Sequence, residues 1–202
     1  MYAALERLRN LVMQIGGYEL QPVKLMSLPS FEAVASDETK VRVLRLIASG
    51  IDTATELSKL VGSSKTGIYR YLKSLMKSGF VIKKGRRYIP SARLYLVYTV
   101  EVEDDGVPCI RLVRDRGAIL DSRDMIFIKG PECDCSTCPE RPRCLEAVRR
   151  IAKLLDVKLR STEPMAAFRE VVECVVTRDI PTLLRRACLV LEVPELLVGS
   201  QA

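Results

Sequence analysis

Residues 63–80 read SSKTGIYRYLKSLMKSGF and have the pattern of a helix with one apolar and one basic face. Ser63 and Ser64 are typical helix caps, and Gly79 is a typical helix stop. Apolar residues at helical spacing predict an inward face of Ile68, Leu72, Leu75 and Met76. The outward face is predicted to carry hydroxyl, cationic and phenolic groups, namely Lys65, Thr66, Tyr69, Arg70 and Lys73.

Two shorter helices are predicted before this one. Asp37 caps the first, and Gly50 ends it. The apolar positions of that helix are Val41, Leu44, Ile47 and Ala48. Thr53 and Glu56 have the spacing of a capping box and open the second helix. Its predicted buried stripe consists of Leu57, Leu60 and Val61.

A basic hairpin is predicted after the third helix, because residues 80–90 read FVIKKGRRYIP, two β-prone runs around a glycine turn. Three short helices followed by such a hairpin resemble the winged helix-turn-helix of ArsR, MarR and TrmB-like transcriptional regulators, including archaeal ones. The resemblance covers residues 36–90. It implies that the third helix enters the major groove of double-stranded DNA and that the wing contacts the backbone or minor groove. The implied DNA-binding residues are Ser63, Ser64, Lys65, Thr66, Tyr69, Arg70, Lys73, Lys83, Lys84, Arg86 and Arg87.

Gly67 departs from an ideal recognition helix, because glycine within a helix costs roughly 1 kcal/mol relative to alanine. It either permits close approach to DNA or is simply tolerated.

The positive charge of the chain is concentrated in the same region. The 202 residues carry a formal charge of +7, and residues 36–90 alone hold 12 basic and 4 acidic residues, or +8. Residues 1–35 are neutral, and residues 91–202 carry −1. Charge confined to one short segment is the electrostatic footprint of a nucleic-acid-binding module. The alternatives are a solvated basic face or a winged helix that binds another protein.

The chain contains no histidine, which excludes serine hydrolases with a Ser-His-Asp triad, Cys-His proteases and His-ligated metal sites. No nucleotide-binding glycine loop occurs either, so we do not expect an enzyme. One asparagine and three glutamines in the whole chain are typical of a thermophile. No apolar run is long enough to span a membrane, and we expect a cytoplasmic protein.

Four of the seven cysteines lie within twelve residues, at Cys133, Cys135, Cys138 and Cys144. Converging thiolates select zinc or an iron–sulfur cluster. All four lie in one Pro-rich loop rather than in two separated knuckles, which favours an iron–sulfur cluster, preferably 4Fe–4S, over zinc. Redox-active thiols and disulfides are the alternatives. The remaining cysteines, predicted to be buried thiols, are Cys109, Cys174 and Cys188.

The C-x₂-C-P-x₄-C part of this loop resembles small cubane-cluster modules of archaeal transcription and DNA-processing proteins. In the beta subunit of archaeal transcription factor E, such a module accompanies a winged helix.

The predicted fold class is α+β, with three segments. Residues 1–35 form an N-terminal helix, about 2–15, and a linker; residues 36–90 form the winged helix; residues 91–202 form a small antiparallel sheet with helices and the cysteine loop at 133–144. Turns are predicted at 103–106 and 114–117, and helices at 143–157, 164–177 and 181–191.

The sequence therefore favours a homodimeric DNA-binding transcriptional regulator whose Cys₄ centre senses redox state or stabilises the fold. The alternative is a component of the transcription or DNA-repair machinery that uses its winged helix for DNA or protein contacts.

Overall fold

The computed structural model describes residues 14–15, 18–102, 108–130 and 134–179. The protein has an α+β fold, as the sequence predicts. The elements in chain order are β1 (Gln14–Ile15), β2 (Tyr18–Glu19), β3 (Gln21–Ser27), α1 (Leu28–Ala35), α2 (Glu38–Ala48), α3 (Ala54–Val61), α4 (Lys65–Lys77), β4 (Val81–Lys84), β5 (Arg87–Pro90), β6 (Ala92–Val102), β7 (Pro108–Asp121), β8 (Asp124–Lys129), α5 (Arg141–Leu154) and α6 (Pro164–Cys174), followed by a π-helical turn at Val175–Asp179.

Side-chain caps determine where the three helices of the winged-helix unit begin. At the start of α2, Asp37 Oδ1 accepts a hydrogen bond from the backbone N–H of Lys40 at 3.0 Å. Thr53 and Ser64 accept equivalent bonds from the N–H group three residues later, at 3.3 and 3.1 Å, at the starts of α3 and α4. Each bond satisfies an N–H group that a helix start leaves unpaired. The three predicted helices are confirmed.

The apolar faces of these helices pack around one core, with one exception to the prediction. Leu44, Leu57, Ile68, Leu72 and Leu75 are fully buried. Leu60, predicted to be buried, is 47% exposed. The buried face of α3 is centred on Ala54 and Leu57, so Leu60 lies beyond its edge.

The central sheet has four strands in the order β3-β6-β7-β8. Strands β6, β7 and β8 form the predicted antiparallel meander. Strand β3 pairs in parallel with β6, from Gln21 opposite Ala92 to Ser27 opposite Tyr98. The prediction of a purely antiparallel sheet is therefore wrong at this edge.

The parallel pair explains where the winged-helix unit sits in the chain. Parallel neighbours require a long crossover connection, and residues 28–91 form it, including α1 to α4 and the β4–β5 hairpin. The sequence predicts only a helix and a linker for residues 1–35. This prediction is wrong for residues 21–35, which form β3 and α1. Phe31 and Val34 of α1 are buried, so this segment belongs to the core.

Strand β7 is continuous where the sequence predicts a turn at residues 114–117. Its register to β6 jumps from Leu96 opposite Gly117 to Val97 opposite Val113, so the intervening residues form a bulge. A Cβ on Gly117 would lie 2.7 Å from the backbone oxygen of Tyr95 and 2.6 Å from Phe168 Cζ. The glycine therefore permits close packing within the sheet rather than a chain reversal.

Both faces of the sheet are covered. On one face, Tyr95, Val97, Ala118, Leu120 and Phe127 pack with the core of the winged-helix unit. On the other face, the intervening residues pack against α5 and α6; they are Leu94, Leu96, Ile119, Ile126 and Ile128. The alternation has a period of two, as expected for a strand, and places the sheet between two helical layers.

The outer predicted helices are tested only in part. Residues 2–13 of the predicted first helix lie outside the described residues. Its predicted end is wrong, because Gln14–Ile15 form a strand that pairs with Tyr18–Glu19. The predicted turn at 103–106 and helix at 181–191 also lie outside the described residues. None of the described helices is long and apolar enough to cross a membrane.

Candidate nucleic-acid interface

The outward face of α4 carries the side chains that the sequence predicts for DNA recognition. Ile68, Leu72 and Leu75 are turned into the core with no exposed surface. This orientation leaves the opposite face in solvent, where Tyr69 is 53% exposed. The exposed residues of this face are Ser64, Lys65, Thr66, Tyr69, Arg70 and Lys73, whereas Ser63 is half-buried.

Gly67 is explained by packing inside the first turn of α4. A Cβ at this position would lie 2.6 Å from Ser63 Oγ and 3.4 Å from Ser64 Oγ. The N–H of Gly67 donates the hydrogen bond that Ser64 accepts as the helix cap. The distance to Ser64 is an ordinary van der Waals contact, whereas Ser63 Oγ would have to rotate away to admit a side chain, so this local contact favours glycine without DNA.

The wing is the β4–β5 hairpin, closed by Gly85 and Arg86. Its four predicted DNA-contacting cations are exposed, namely Lys83, Lys84, Arg86 and Arg87. Arg87 differs from the others because its Nε lies 3.5 Å from Asp52 Oδ2, in the loop before α3. The backbone N–H of Tyr88 donates to the carbonyl of Asp52 at 2.9 Å, so both contacts hold the wing against the helices.

A buried tyrosine fixes the base of the wing to the sheet. The hydroxyl of Tyr95 accepts hydrogen bonds from the backbone N–H groups of Ser91 and Ala92 at 3.1 and 3.0 Å, and donates to the carbonyl of Phe80 at 3.0 Å. Burial raises the pKa of Tyr95 to about 12, although its hydrogen bonds act in the opposite direction. Sequence reasoning missed this residue because a tyrosine in an apolar strand has no distinguishing local signal.

The cysteine loop lies between β8 and α5, at the predicted junction of sheet and helices. Cys135, Cys138 and Cys144 are half-buried, and Cys133 lies outside the described residues. Asp134 accepts hydrogen bonds from the hydroxyl and backbone N–H of Ser136 and from the hydroxyl of Thr137, which lower the pKa of its carboxyl group. Within the described part of the chain, no three Cys, Asp or Glu side chains are gathered in a way that could hold a metal ion.

Cys135 contacts the carboxylate that caps α6. Burial acts to raise the pKa of Glu163, but hydrogen bonds from the backbone N–H groups of Ala166 and Met165 and from the Cys135 thiol, together with the charge of Arg141, lower it overall. The thiol thus links the cysteine loop to the start of α6. Of the other cysteines, Cys109 and Cys174 are half-buried free thiols, less buried than predicted, and Cys188 lies outside the described residues.

A group of ion pairs joins the first helix of the winged-helix unit to the cysteine loop. Arg45 of α2 lies 3.6 Å from both Asp124 and Glu140, and its Nε donates to the carbonyl of Met125 at 3.2 Å. Arg143 of α5 pairs with the same two carboxylates. Sequence reasoning missed this group because its members come from three segments distant in sequence.

Comparison with protein families shows that residues 38–101 match the family described as sugar-specific transcriptional regulator TrmB. The match spans 64 of the 202 residues: α2 to α4, the wing and nearly all of β6. Neither curated proteins nor solved structures give a match. The chain thus contains a helix-turn-helix domain of the kind found in DNA-binding transcriptional regulators.

Proposed function

We propose that this protein is a homodimeric transcriptional regulator that inserts α4 into the major groove of double-stranded DNA and lays the wing along the adjacent backbone or minor groove. The observation that carries the proposal is the exposed polar face of α4, which lies within the segment that matches the regulator family. Its cations suit phosphates and guanine edges, and its hydroxyl groups suit phosphates and bases.

The signal to which the regulator responds is a separate question. The family name refers to sugar-specific regulators, but the match ends at Glu101, before β7, β8 and the cysteine loop. The proposal therefore takes DNA binding from the matched segment and takes no ligand from the family name.

Duplex binding can be measured by fluorescence anisotropy between 50 and 200 mM salt. Each phosphate contact contributes about 0.9 to the slope of log K against log salt, so several contacts produce a steep dependence. Lys65→Gln should weaken binding and flatten this slope. Lys153→Gln, which removes an exposed lysine of α5, is the matched control and should change neither. Binding that is absent, or insensitive to salt and to Lys65→Gln, would refute the proposal.

The homodimer is tested by sedimentation equilibrium. We expect a mass twice that of the 22.6 kDa chain, because helix-turn-helix dimers read two half-sites one helical turn apart. A single-chain mass at the concentrations that bind DNA would contradict this part of the proposal.

We also propose that Cys133, Cys135, Cys138 and Cys144 hold a metal centre, preferably an iron–sulfur cluster, with zinc as the alternative. The support is the spacing of four thiols in one loop, three of which are half-buried beside the winged-helix unit. A bound cluster would supply one-electron redox chemistry and zinc only a structural cross-link.

Metal and sulfide analysis of anaerobically purified protein distinguishes these cases. Iron with acid-labile sulfide supports the cluster, stoichiometric zinc rejects it, and absence of both rejects the centre. A sensor should also change its DNA affinity on aerobic oxidation, whereas a structural centre should leave the affinity of the intact protein unaltered.

A further inference from the structure

A cavity of about 630 Å³ lies between α2, β8, the cysteine loop and the start of α6. Val41 and Leu46 of the winged-helix unit form one wall, Ile126 and Ile128 of the sheet form another, and Met165 lies at the start of α6. A volume of several hundred Å³ with mainly apolar walls is characteristic of sites for small organic ligands.

The charges around this cavity favour an anion. Two of its lining carboxylates, Asp124 and Glu140, are already paired with Arg45 and Arg143. Of the other charged lining residues, Glu38 is acidic and Arg42 donates to the carbonyl of Leu60. Three further lining residues are exposed cations: Arg123, Lys129 and Arg141, of which Arg141 also interacts with the carboxylate of Glu163.

The start of α5 adds to this positive potential. The helix begins at Arg141 on the cavity lining, and Glu140 provides no side-chain cap. Pro142 has no N–H group, and the N–H of Arg141 donates to the carbonyl of Cys138 at 3.1 Å, so the contribution of this helix start is the positive end of its dipole. This contribution and the three exposed cations lie beside the apolar walls.

We propose that this cavity is the binding site of a small organic anion that has an apolar body and one acidic group. The apolar body fills the space between Val41, Ile126 and Met165, and the acidic group lies towards Arg123, immediately before β8. Lys129 lies at the other end of this strand.

Because α2 forms one wall, the ligand contacts the winged-helix unit and the C-terminal layer at the same time. The site is distinct from the face of α4 proposed to bind DNA. It shares Cys135, Cys138 and Cys144 with the proposed metal centre, so a bound metal would occupy the side of the cavity formed by the cysteine loop and leave the ligand the space beside α2 and β8.

Two fluorescent probes test the site on the full-length protein. The probe 1-anilinonaphthalene-8-sulfonate has an aromatic body and one sulfonate, and N-phenyl-1-naphthylamine has nearly the same body without the charge. We expect one equivalent of the sulfonate probe to bind per chain, more tightly than the uncharged probe. Binding of several equivalents, or equal affinity for the two probes, would overturn the proposal.

Variants locate the site. Val41→Phe fills the apolar space and should weaken both probes at least tenfold. The variant Arg123→Gln, which changes only an exposed side chain, should weaken the sulfonate probe about tenfold and the uncharged probe less than twofold. Arg149→Gln, an exposed cation of α5 away from the lining, should change neither. If Arg123→Gln behaves like Arg149→Gln, the proposal fails even where Val41→Phe does not fold. DNA binding by α4 is measured separately, so failure of either proposal leaves the other intact.

Discussion

The two basic regions of this molecule hold their cations in different ways. On α4, the side chains of Lys65, Arg70 and Lys73 are exposed, and no ion-pair partner for them occurs within the described part of the chain. Beside the cysteine loop, Arg45 and Arg143 are paired with Asp124 and Glu140. A solvated cation stays available to a phosphate, whereas a paired one holds two chain segments together. The first region therefore suits binding, and the second joins the layers of the fold.

The largest effect is expected from removing unpaired cations of α4. Arg70→Ala/Lys73→Ala should weaken duplex DNA binding about a hundredfold and reduce the salt slope by about 2, because two phosphate or base contacts are lost. The free energy of unfolding should change by less than about 0.5 kcal/mol, since both side chains are exposed. Anisotropy and urea unfolding measure the two quantities. Arg149→Ala/Lys153→Ala is the control, and an equal loss of DNA affinity in that variant would show that only net charge matters.

Tyr95→Phe tests whether the wing depends on its anchor in the sheet. The change removes three buried hydrogen bonds and should lower the free energy of unfolding by about 1–3 kcal/mol at pH 8. The Ser91 N–H and the Phe80 carbonyl keep the 2.9 Å bond between them, so the Ala92 N–H is the group that loses most. Urea unfolding gives the value. A cost below about 0.5 kcal/mol would show that the hydroxyl is not needed there.

The same variant has a distinct pH dependence. The unfolded chain loses the Tyr95 proton near pH 10, whereas the folded chain keeps it up to about pH 12. This raised pKa stabilises the fold fully below pH 10, and the contribution is lost as pH rises from 10 to 12, by roughly 1.4 kcal/mol per unit. The stability difference between wild type and Tyr95→Phe should therefore shrink over that range. A constant difference from pH 8 to 11.5 would contradict the raised pKa.

The substitution Arg45→Gln tests how much the ion pairs beside the cysteine loop stabilise the fold. Loss of its contacts with Asp124, Glu140 and the carbonyl of Met125 should lower the free energy of unfolding by about 1 kcal/mol, since the side chain is partly exposed. DNA affinity of the folded protein should change less than twofold. A large loss of DNA affinity with unaltered stability would mean that this arginine belongs to the binding surface.

The smallest expected effect is a difference in DNA affinity between variants of two wing cations. Lys84→Ala should weaken DNA binding about threefold to fivefold, and Arg87→Ala less than twofold, because the charge of Arg87 is partly neutralised by Asp52. Asp52→Asn should make Arg87 available and increase the effect of Arg87→Ala. Anisotropy at 100 mM salt measures all three, and equal effects of the two single variants would show that the ion pair does not restrain Arg87.

Local sequence patterns were sufficient to predict the helices and the hairpin of the winged-helix unit. Helix caps such as Asp37 and Ser64, and apolar residues at helical spacing, depend on neighbours within one or two turns. The exposure of the α4 residues follows from that spacing, and the exposure of the wing cations follows from their place around a hairpin turn. Leu60 is the exception, since burial at the edge of a short helix depends on what packs against it.

The wrong predictions concern features that depend on pairing between segments distant in sequence. Strand β3 finds its partner only after the whole winged-helix unit, and Gly117 has the appearance of a turn residue although it serves a bulge and a contact with Phe168. The cysteine spacing indicates thiolate chemistry, but it contains no information about α2 forming the opposite wall of a cavity.

The sequence by itself determined the three helices of the winged-helix unit, the basic hairpin, the location of the positive charge and the set of four cysteines, because each follows from residues close together in the chain. The tertiary structure decided that the winged-helix unit is the crossover of a mixed sheet, that Tyr95 anchors the wing, and that α2, β8 and the cysteine loop enclose one cavity. Those features depend on the packing of segments distant in sequence, where free energy is determined by burial and pairing across the fold.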